Sequence, residues 1–343
     1  MKQDKNVNSI DLFKLLMAAA VVAIHTNPIV SWTNQAAIKA VVIVEEWAVP
    51  FFFTASGFLL FRTMEQPYET QIKRVDRYLV KIVKLYCAWT LISLPLTLYG
   101  YSISGNSIIS CVLSYVKYFL FVGKLYNSYH LWYLLSLIYA LAAIRIMIKK
   151  RLQVGMIVGI SAAVFVFREW MSFLTGHVDL LGGIGQKAVS LYQYVFNNGG
   201  IFTGLIYVSV GMLIADRHLR IHKRTGIIAI AALNGLKLLL EWGTGYGAVT
   251  QLIMPVEALL LFMTLLDVRL CESPIWEKCR KASTVIYLSH LIFFSVYTFL
   301  IIRNPNKLGF DSFIVTLTLS ALNAVILGAA QQKGRFRLLK HII

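Results

Sequence analysis

Lys14 and His25 stand eleven residues apart in the first long apolar run, Asp11-Leu-Phe-Lys14-Leu-Leu-Met-Ala-Ala-Ala-Val-Val-Ala-Ile-His25. At about 100° and about 1.5 Å per residue, eleven steps return to nearly the same face of a helix, about 16 Å along its axis. Ionisable side chains inside apolar helices are costly and mark functional sites by default. An imidazole of ordinary basicity can accept a hydroxyl proton at neutral pH, which is the task of a general base. Thr26-Asn27-Pro28 follows His25, and proline excludes the residue before it from helical geometry, so the ring sits at a partly wet boundary. An interfacial histidine satisfied by a backbone carbonyl fits the same spacing.

Two carboxylates, Glu45 and Glu46, open the next apolar run ahead of Trp47-Ala-Val-Pro50-Phe51-Phe52-Phe53 and Ser56-Gly57. They fall at roughly the depth of His25, so Glu46 could orient the ring or stabilise its protonated form. A pair of carboxylates facing water at a helix entrance reads equally well. Pro50 and Ser56-Gly57 permit a bend and a close helix approach, a packing role. Further on, Arg74, Arg77, Lys81 and Lys84 fall at i, i+3, i+7 and i+10 and form one basic stripe. Such a stripe can hold phosphates or lie on anionic lipid headgroups. His130-Leu131-Trp132-Tyr133 reads as an aromatic anchor at a helix entrance. His290, in Ser283-Thr-Val-Ile-Tyr287-Leu-Ser-His290, lies deeper and needs a partner inside the bundle. Glu257 suits a proton relay or a buried hydrogen-bonded acid, Lys237 and Glu241 at i, i+4 neutralise each other, and Arg168-Glu169 belongs to an interface. No phosphate-cradling glycine loop, metal-ligand cluster or hydrolase elbow occurs, and the four cysteines include no CxxC pair.

The elements that must position these groups are apolar helices. The 343 residues are 58% hydrophobic, with a mean hydropathy of +0.68, well beyond the roughly 45–50% apolar content of soluble domains. The fold class is therefore all-α, a polytopic membrane bundle of about ten transmembrane helices in a single domain over 1–343. Spans are expected near 10–28, 40–61, 79–99, 130–148, 153–171, 199–215, 226–242, 247–267, 283–302 and 312–330, with a re-entrant or interfacial helix near 107–122 and irregular backbone over 172–198. The net charge of +17 then reads as a topology signal rather than as affinity for nucleic acid. Lys and Arg collect in alternate connections, which places both termini in the cytoplasm, Lys14 near the inner surface and His25 toward the outer one.

Taken together, Lys14-x10-His25, Val49-Pro50-Phe51-Phe52-Phe53 with Ser56-Gly57, the basic stripe, His130-Leu-Trp-Tyr-Leu134 and Ser283-to-His290 resemble the acyltransferase-3 family of integral membrane acyltransferases over nearly the whole chain. The resemblance implies a ten-helix enzyme of the bacterial cytoplasmic membrane. It would move an acyl group, commonly acetyl, from cytoplasmic acyl-CoA to a hydroxyl of an envelope carbohydrate or related acceptor. By the same resemblance His25 is the base or acyl-handling residue, with Lys14 and Glu46 beside it in the catalytic set. Arg74, Arg77 and Lys81 would hold the donor's phosphates, and no metal is called for. The family's hallmark pairs an arginine with a histidine across ten residues; Lys14 keeps the charge but loses the planar fork. Val22-Ala-Ile-His25 and Ala48-Val-Pro-Phe-Phe-Phe53 also resemble the membrane half of membrane-bound serine racemases of glycopeptide-resistance systems. That half is thought to supply L-serine to a cytoplasmic racemase domain that follows its last helix, here after the basic tail ending at Ile343.

Overall fold

The computed structural model describes residues 8–62, 68–244, 247–304 and 307–332. The basic residues expected to fix the termini, Lys2, Lys5 and Lys333 to Lys340, lie outside them. Helix α1 (Asn8–Thr26) ends ahead of Pro28, with Asn27 turned into the left-handed region at φ 44°. Asn34 caps α2 (Gln35–Phe61) by accepting the Ala37 amide at 3.1 Å. Then come α3 (Tyr68–Ile103), the short α4 (Ile108–Lys117), α5 (Trp132–Lys149), α6 (Val154–Gly176) and α7 (Gly183–Phe196). The chain closes with α8 (Gly200–Asp216), α9 (Lys223–Thr244), α10 (Gly247–Leu266), α11 (Ile275–Val296) and α12 (Phe310–Gln332). Among the described residues no β-strand forms.

The packing centre is α8, apolar on all sides and buried against α2, α5 and α6, as expected of a helix without a polar face. Small residues let it approach closely. A Cβ at Gly57 would lie 2.1 Å from the Val208 carbonyl oxygen, and one at Gly211 would lie 2.1 Å from that of Thr54. The Ser56-Gly57 pair thus serves close approach through its glycine. On α5, the Ser136 hydroxyl accepts the Gly204 amide at 2.9 Å and donates to the Ile201 carbonyl at 3.1 Å, joining α5 to α8. Helix α1 rests on α2 and α11, α3 on α5, and α12 on α11.

Among the described residues six helical stretches are long and apolar enough to cross a membrane: Asn8–Thr26, Glu69–Ile103, Tyr129–Lys149, Val154–Gly176, Ile275–Ile301 and Phe310–Gln331. A seventh arises if α7 and α8, bent by 73° at their junction, count as one broken span. Each of the ten expected spans falls on a helix, yet the count of ten does not follow from length and apolarity. The shortfall has a physical origin. The first half of α2 carries Lys39, Glu45 and Glu46, α9 carries Lys237 and Glu241, α8 is only 17 residues long, and the apolar part of α10, Thr250–Leu266, is also short. Helix α4 buries none of its residues and is too short to span.

The stretch 172–198 corrects the expectation of irregular backbone. Helix α6 runs on to Gly176, and α7 occupies Gly183–Phe196 with Val189 and Tyr192 buried three residues apart. Its glycines gather at the start of α7, where they do not interrupt the later turns. The irregularity is instead concentrated in Asn197, Asn198 and Gly199, three successive left-handed residues that make the bend into α8. Gly199 is required there, at φ +65° with a Cβ position 2.0 Å from the Tyr192 hydroxyl.

Candidate active site

Three helical segments each bring one imidazole to a common point. His25 comes from the last turn of α1, His130 from the 3-10 turn Tyr129–Leu131 that leads into α5, and His290 from the middle of α11. The His25 and His290 rings stack with centroids 5.2 Å apart, and His130 meets His290 edge-on at 5.0 Å. Tyr129 closes on His25 at 5.0 Å. His290, expected to need a partner, thus has two imidazole neighbours. His130 corrects its reading as an interfacial anchor. It is 1% exposed and hydrogen-bonds the Leu288 carbonyl through Nε2 at 3.1 Å. Its position just before Trp132 gave no sign in the sequence that α11 would cover it.

A cavity of about 540 Å³ lies between α1, α2, α3, α5 and α11; none of the three histidines lines it, and its wall residues Tyr287 and Leu288 are the ones that bond to His130. Its mouth carries Lys14, Lys81, Arg280 and Lys281. Asp11 accepts Arg280 at 3.1 Å and lies 3.6 Å from Lys14, and Glu277 takes Lys281 at 2.9 Å. The walls turn apolar inward, with one polar knot where Ser56 Oγ, itself donating to the Phe52 carbonyl at 2.9 Å, lies 3.3 Å from the hydroxyls of both Tyr133 and Tyr78. The inner end is formed by Tyr133 and Tyr287, whose rings are 5.4 Å apart. Tyr287 spans the partition. Its hydroxyl donates to the His130 carbonyl at 2.6 Å, and its ring faces His130 at 5.7 Å and His290 at 6.0 Å.

Of the six expected site residues, the structure gathers some and separates others. Lys14 and Lys81 line the cavity mouth, and His25 lies in the imidazole cluster. Arg77 and Arg74 sit about one and two turns from Lys81 on α3 and are not part of the cavity wall. Arg77 donates to the Lys73 carbonyl at 3.2 Å. Glu46 is taken by a different partner: Lys237 donates to it at 2.7 Å and to Glu257 at 3.1 Å. Glu257, fully buried, also accepts Trp47 Nε1 at 2.6 Å and Asn234 Nδ2 at 2.5 Å. The expected Lys237–Glu241 pair is corrected as well, because Glu241 pairs with Lys39 across to α2 at 2.6 Å. Arg168 and Glu169 do pair with each other. The residues that sequence reasoning missed are Arg280 and Lys281, which registered only as loop charge, and the tyrosine partition.

A second, smaller cavity of about 250 Å³ has Glu46, Lys124, Trp132, Arg168, Asn198 and Gln251 among its lining residues. It adjoins the start of α5, two residues from His130. Among the described residues no group of three His, Cys, Asp or Glu side chains is placed to hold a metal ion.

The chain belongs to the acyltransferase-3 family, whose acyltransferase domain matches residues 7–329. It is similar to an amino-acid racemase of Enterococcus faecalis, 27% identical over 229 residues, covering 66% of this chain and 30% of the relative. It is also similar to a serine/alanine racemase of Enterococcus gallinarum, 26% identical over 302 residues, covering 82% of this chain and 40% of the relative. The chain thus spans well under half the length of these curated relatives. No solved structure matches it.

Proposed function

We propose that this membrane acyltransferase is an O-acyltransferase that takes an acyl group, acetyl by preference, from acyl-CoA and passes it to a hydroxyl of an envelope carbohydrate or related acceptor. The observation that carries the reading is the cavity, with four cations at its mouth and three imidazoles behind its inner wall. Acyl-CoA has matching parts, namely several phosphates on a nucleotide and a long, largely neutral thioester arm. Phosphates favour Lys14, Lys81, Arg280 and Lys281, Arg280 offering a planar fork that lysine lacks. The arm favours the narrowing channel past Ser56 toward Tyr287, and His25 serves as base or acyl-handling residue. On helices α1 and α11 the route from mouth to imidazole is eleven and nine residues, about 14 to 16 Å.

In this reading the chain lies in the bacterial cytoplasmic membrane with the cationic mouth in the cytoplasm, supported by the concentration of basic residues at that end. Arg74 and Arg77 act at longer range, drawing the anionic donor toward the mouth. The acceptor approaches from the opposite side through the smaller polar cavity. The test is labelled acetyl-CoA with the purified chain in liposomes, beside His25→Ala. Acetyl-CoA consumption in the parent that the substitution abolishes is the expected result, and a parent that consumes none overturns the reading.

The racemase relatives support a second reading, a membrane part that supplies L-serine to a racemase. It predicts labelled serine entry into the same liposomes without CoA, unaffected by Arg280→Ala.

A further inference from the structure

The hydrogen bonds of the two buried histidines fix which of their nitrogens are bare. A backbone carbonyl only accepts, so the ring nitrogen facing it carries the proton, and in a neutral imidazole the other nitrogen is then an acceptor with no hydrogen of its own. His290 Nδ1 donates to the Tyr287 carbonyl at 2.6 Å, which leaves Nε2 bare. His130 Nε2 donates to the Leu288 carbonyl at 3.1 Å, which leaves Nδ1 bare. The two rings are 0% and 1% exposed, and neither bare nitrogen has a protein donor. Buried acceptors are normally paired. Two of them lie on rings 5.0 Å apart, beside His25 and behind the tyrosine partition. The tautomers are opposite in sense, yet each is set by a carbonyl of the same α11 stretch, Tyr287 to Leu288.

We infer that His130 Nδ1 and His290 Nε2 form the acceptor subsite, taking a ligand that brings two hydrogen-bond donors, one of them the hydroxyl that is acylated. The inference rests on the acyl-transfer reading and sharpens it. A carboxylate or ketone, which only accepts, is disfavoured by two bare acceptors, whereas a sugar diol or an amino alcohol satisfies both. His290 Nε2 accepts the proton of the reacting hydroxyl, and His130 Nδ1 holds the second donor. As the O–H proton passes to His290 Nε2, the oxygen bonds to the thioester carbonyl carbon. The C–S bond breaks, and the departing thiolate receives the proton from the imidazolium. One ester and one thiol replace one alcohol and one thioester, with no proton gained or lost. His25, stacked on His290, is left to face the acyl group.

The test uses two substitutions that keep each backbone hydrogen bond and remove the bare nitrogen. His290→Asn retains a donor near the Nδ1 position, and His130→Gln retains one near Nε2. With acetyl-CoA as donor and N-acetylglucosamine or L-serine as acceptor, His290→Asn lowers kcat by about 100-fold or more. It leaves the KM for acetyl-CoA unchanged and removes the acid limb of the pH–rate profile. His130→Gln raises the acceptor KM about tenfold and keeps that limb. The preferred acceptor separates the sugar from the amino-alcohol source. Parental kcat with an intact acid limb in His290→Asn overturns the inference and leaves acyl transfer standing. If His290→Asn does not fold, His290→Gln, which places an amide at the Nε2 position, takes its place. A readout independent of turnover is nitrogen NMR of histidine-labelled parent protein in lipid nanodiscs. It is expected to show His290 protonated on Nδ1 and His130 on Nε2, and the reverse tautomers overturn the subsite. A parent that consumes no acetyl-CoA with either acceptor defeats the acyl-transfer reading itself, whatever the tautomers.

Discussion

Arg280 and Arg77 offer a direct contrast between a cation in the cavity wall and one outside it. Loss of a charge-assisted hydrogen bond costs about 1.5–3 kcal/mol, or about 10- to 100-fold in affinity. Arg280→Ala is therefore expected to raise the KM for acetyl-CoA by about that factor in steady-state assays, while Arg77→Ala changes it by less than about threefold, as suits a long-range charge. Lys14 gives a second comparison. Its ammonium lies 3.6 Å from Asp11 and is only 13% exposed. Lys14→Met should weaken donor binding about tenfold in calorimetric titrations, on the scale of one charged contact. Lys14→Arg should match or exceed the parent because a guanidinium reaches Asp11 and a phosphate at once. The sequence displayed the Lys14–His25 spacing, and the placement of both residues on one helix was legible from period alone. It did not display the convergence of His25 and His130 on His290, which depends on how α11 packs against α1 and the turn leading into α5. Nor did it separate Arg280 from the other basic residues, since a topology charge and a cavity charge have the same composition.

Among the elements, the α2–α8 contact carries a sharp steric constraint. Gly57→Ala must push its methyl into the Val208 carbonyl, so the two helices have to part. Overpacking of this kind costs about 1–3 kcal/mol, and a lowered unfolding midpoint in detergent is expected. Gly235→Ala on α9 is the control, because nothing lies near its Cβ position. It should be neutral or stabilising by up to about 1 kcal/mol. The Lys237 junction of α2, α9 and α10 is the polar counterpart. Removing one partner of a buried ion pair costs about 3–5 kcal/mol, so Lys237→Met should destabilise strongly in the same assay, and adding Glu257→Gln should recover part of the loss. Helix positions were legible because long apolar runs impose them. The partners of Lys237 and Glu241 were not, since the i, i+4 rule assumes side chains that meet only their own helix, and both here reach across to α2. The glycines of 182–185 misled for a related reason: at the start of a helix they do not interrupt it.

At the scale of the molecule, the chain in the proposed reading is a two-ended device. The loop between α10 and α11 holds Cys271 at the end of the bundle that carries Arg280, and the link between α1 and α2 holds Trp32 at the other. Both residues are exposed. In a background with the other cysteines replaced by serine, a membrane-impermeant maleimide should label Cys271 only in inverted vesicles. A Trp32→Cys variant lacking Cys271 should be labelled only in right-side-out ones. Labelling of both from one side would place the mouth and the imidazoles in the same compartment and defeat acyl transfer across the membrane. The broad class was legible from composition. The number of crossings was not, because α2 and α9 carry charged residues that pair inside the bundle and α8 is short, so length and apolarity alone do not decide whether they span.

The partition formed by Tyr133 and Tyr287 bears on more than catalysis. Both rings are 8% exposed, and Tyr287 is fastened by its hydroxyl to the His130 carbonyl. A water-filled passage joining the cationic mouth to the imidazoles would short-circuit an energised membrane, since histidines conduct protons readily once hydrated. In the proposed acyl-transfer reading the acyl arm has to part these two rings to reach the imidazoles, while the paired rings otherwise keep the ion gradient insulated, and replacing both tyrosines with alanine should show first as a proton leak in pH-jump liposomes.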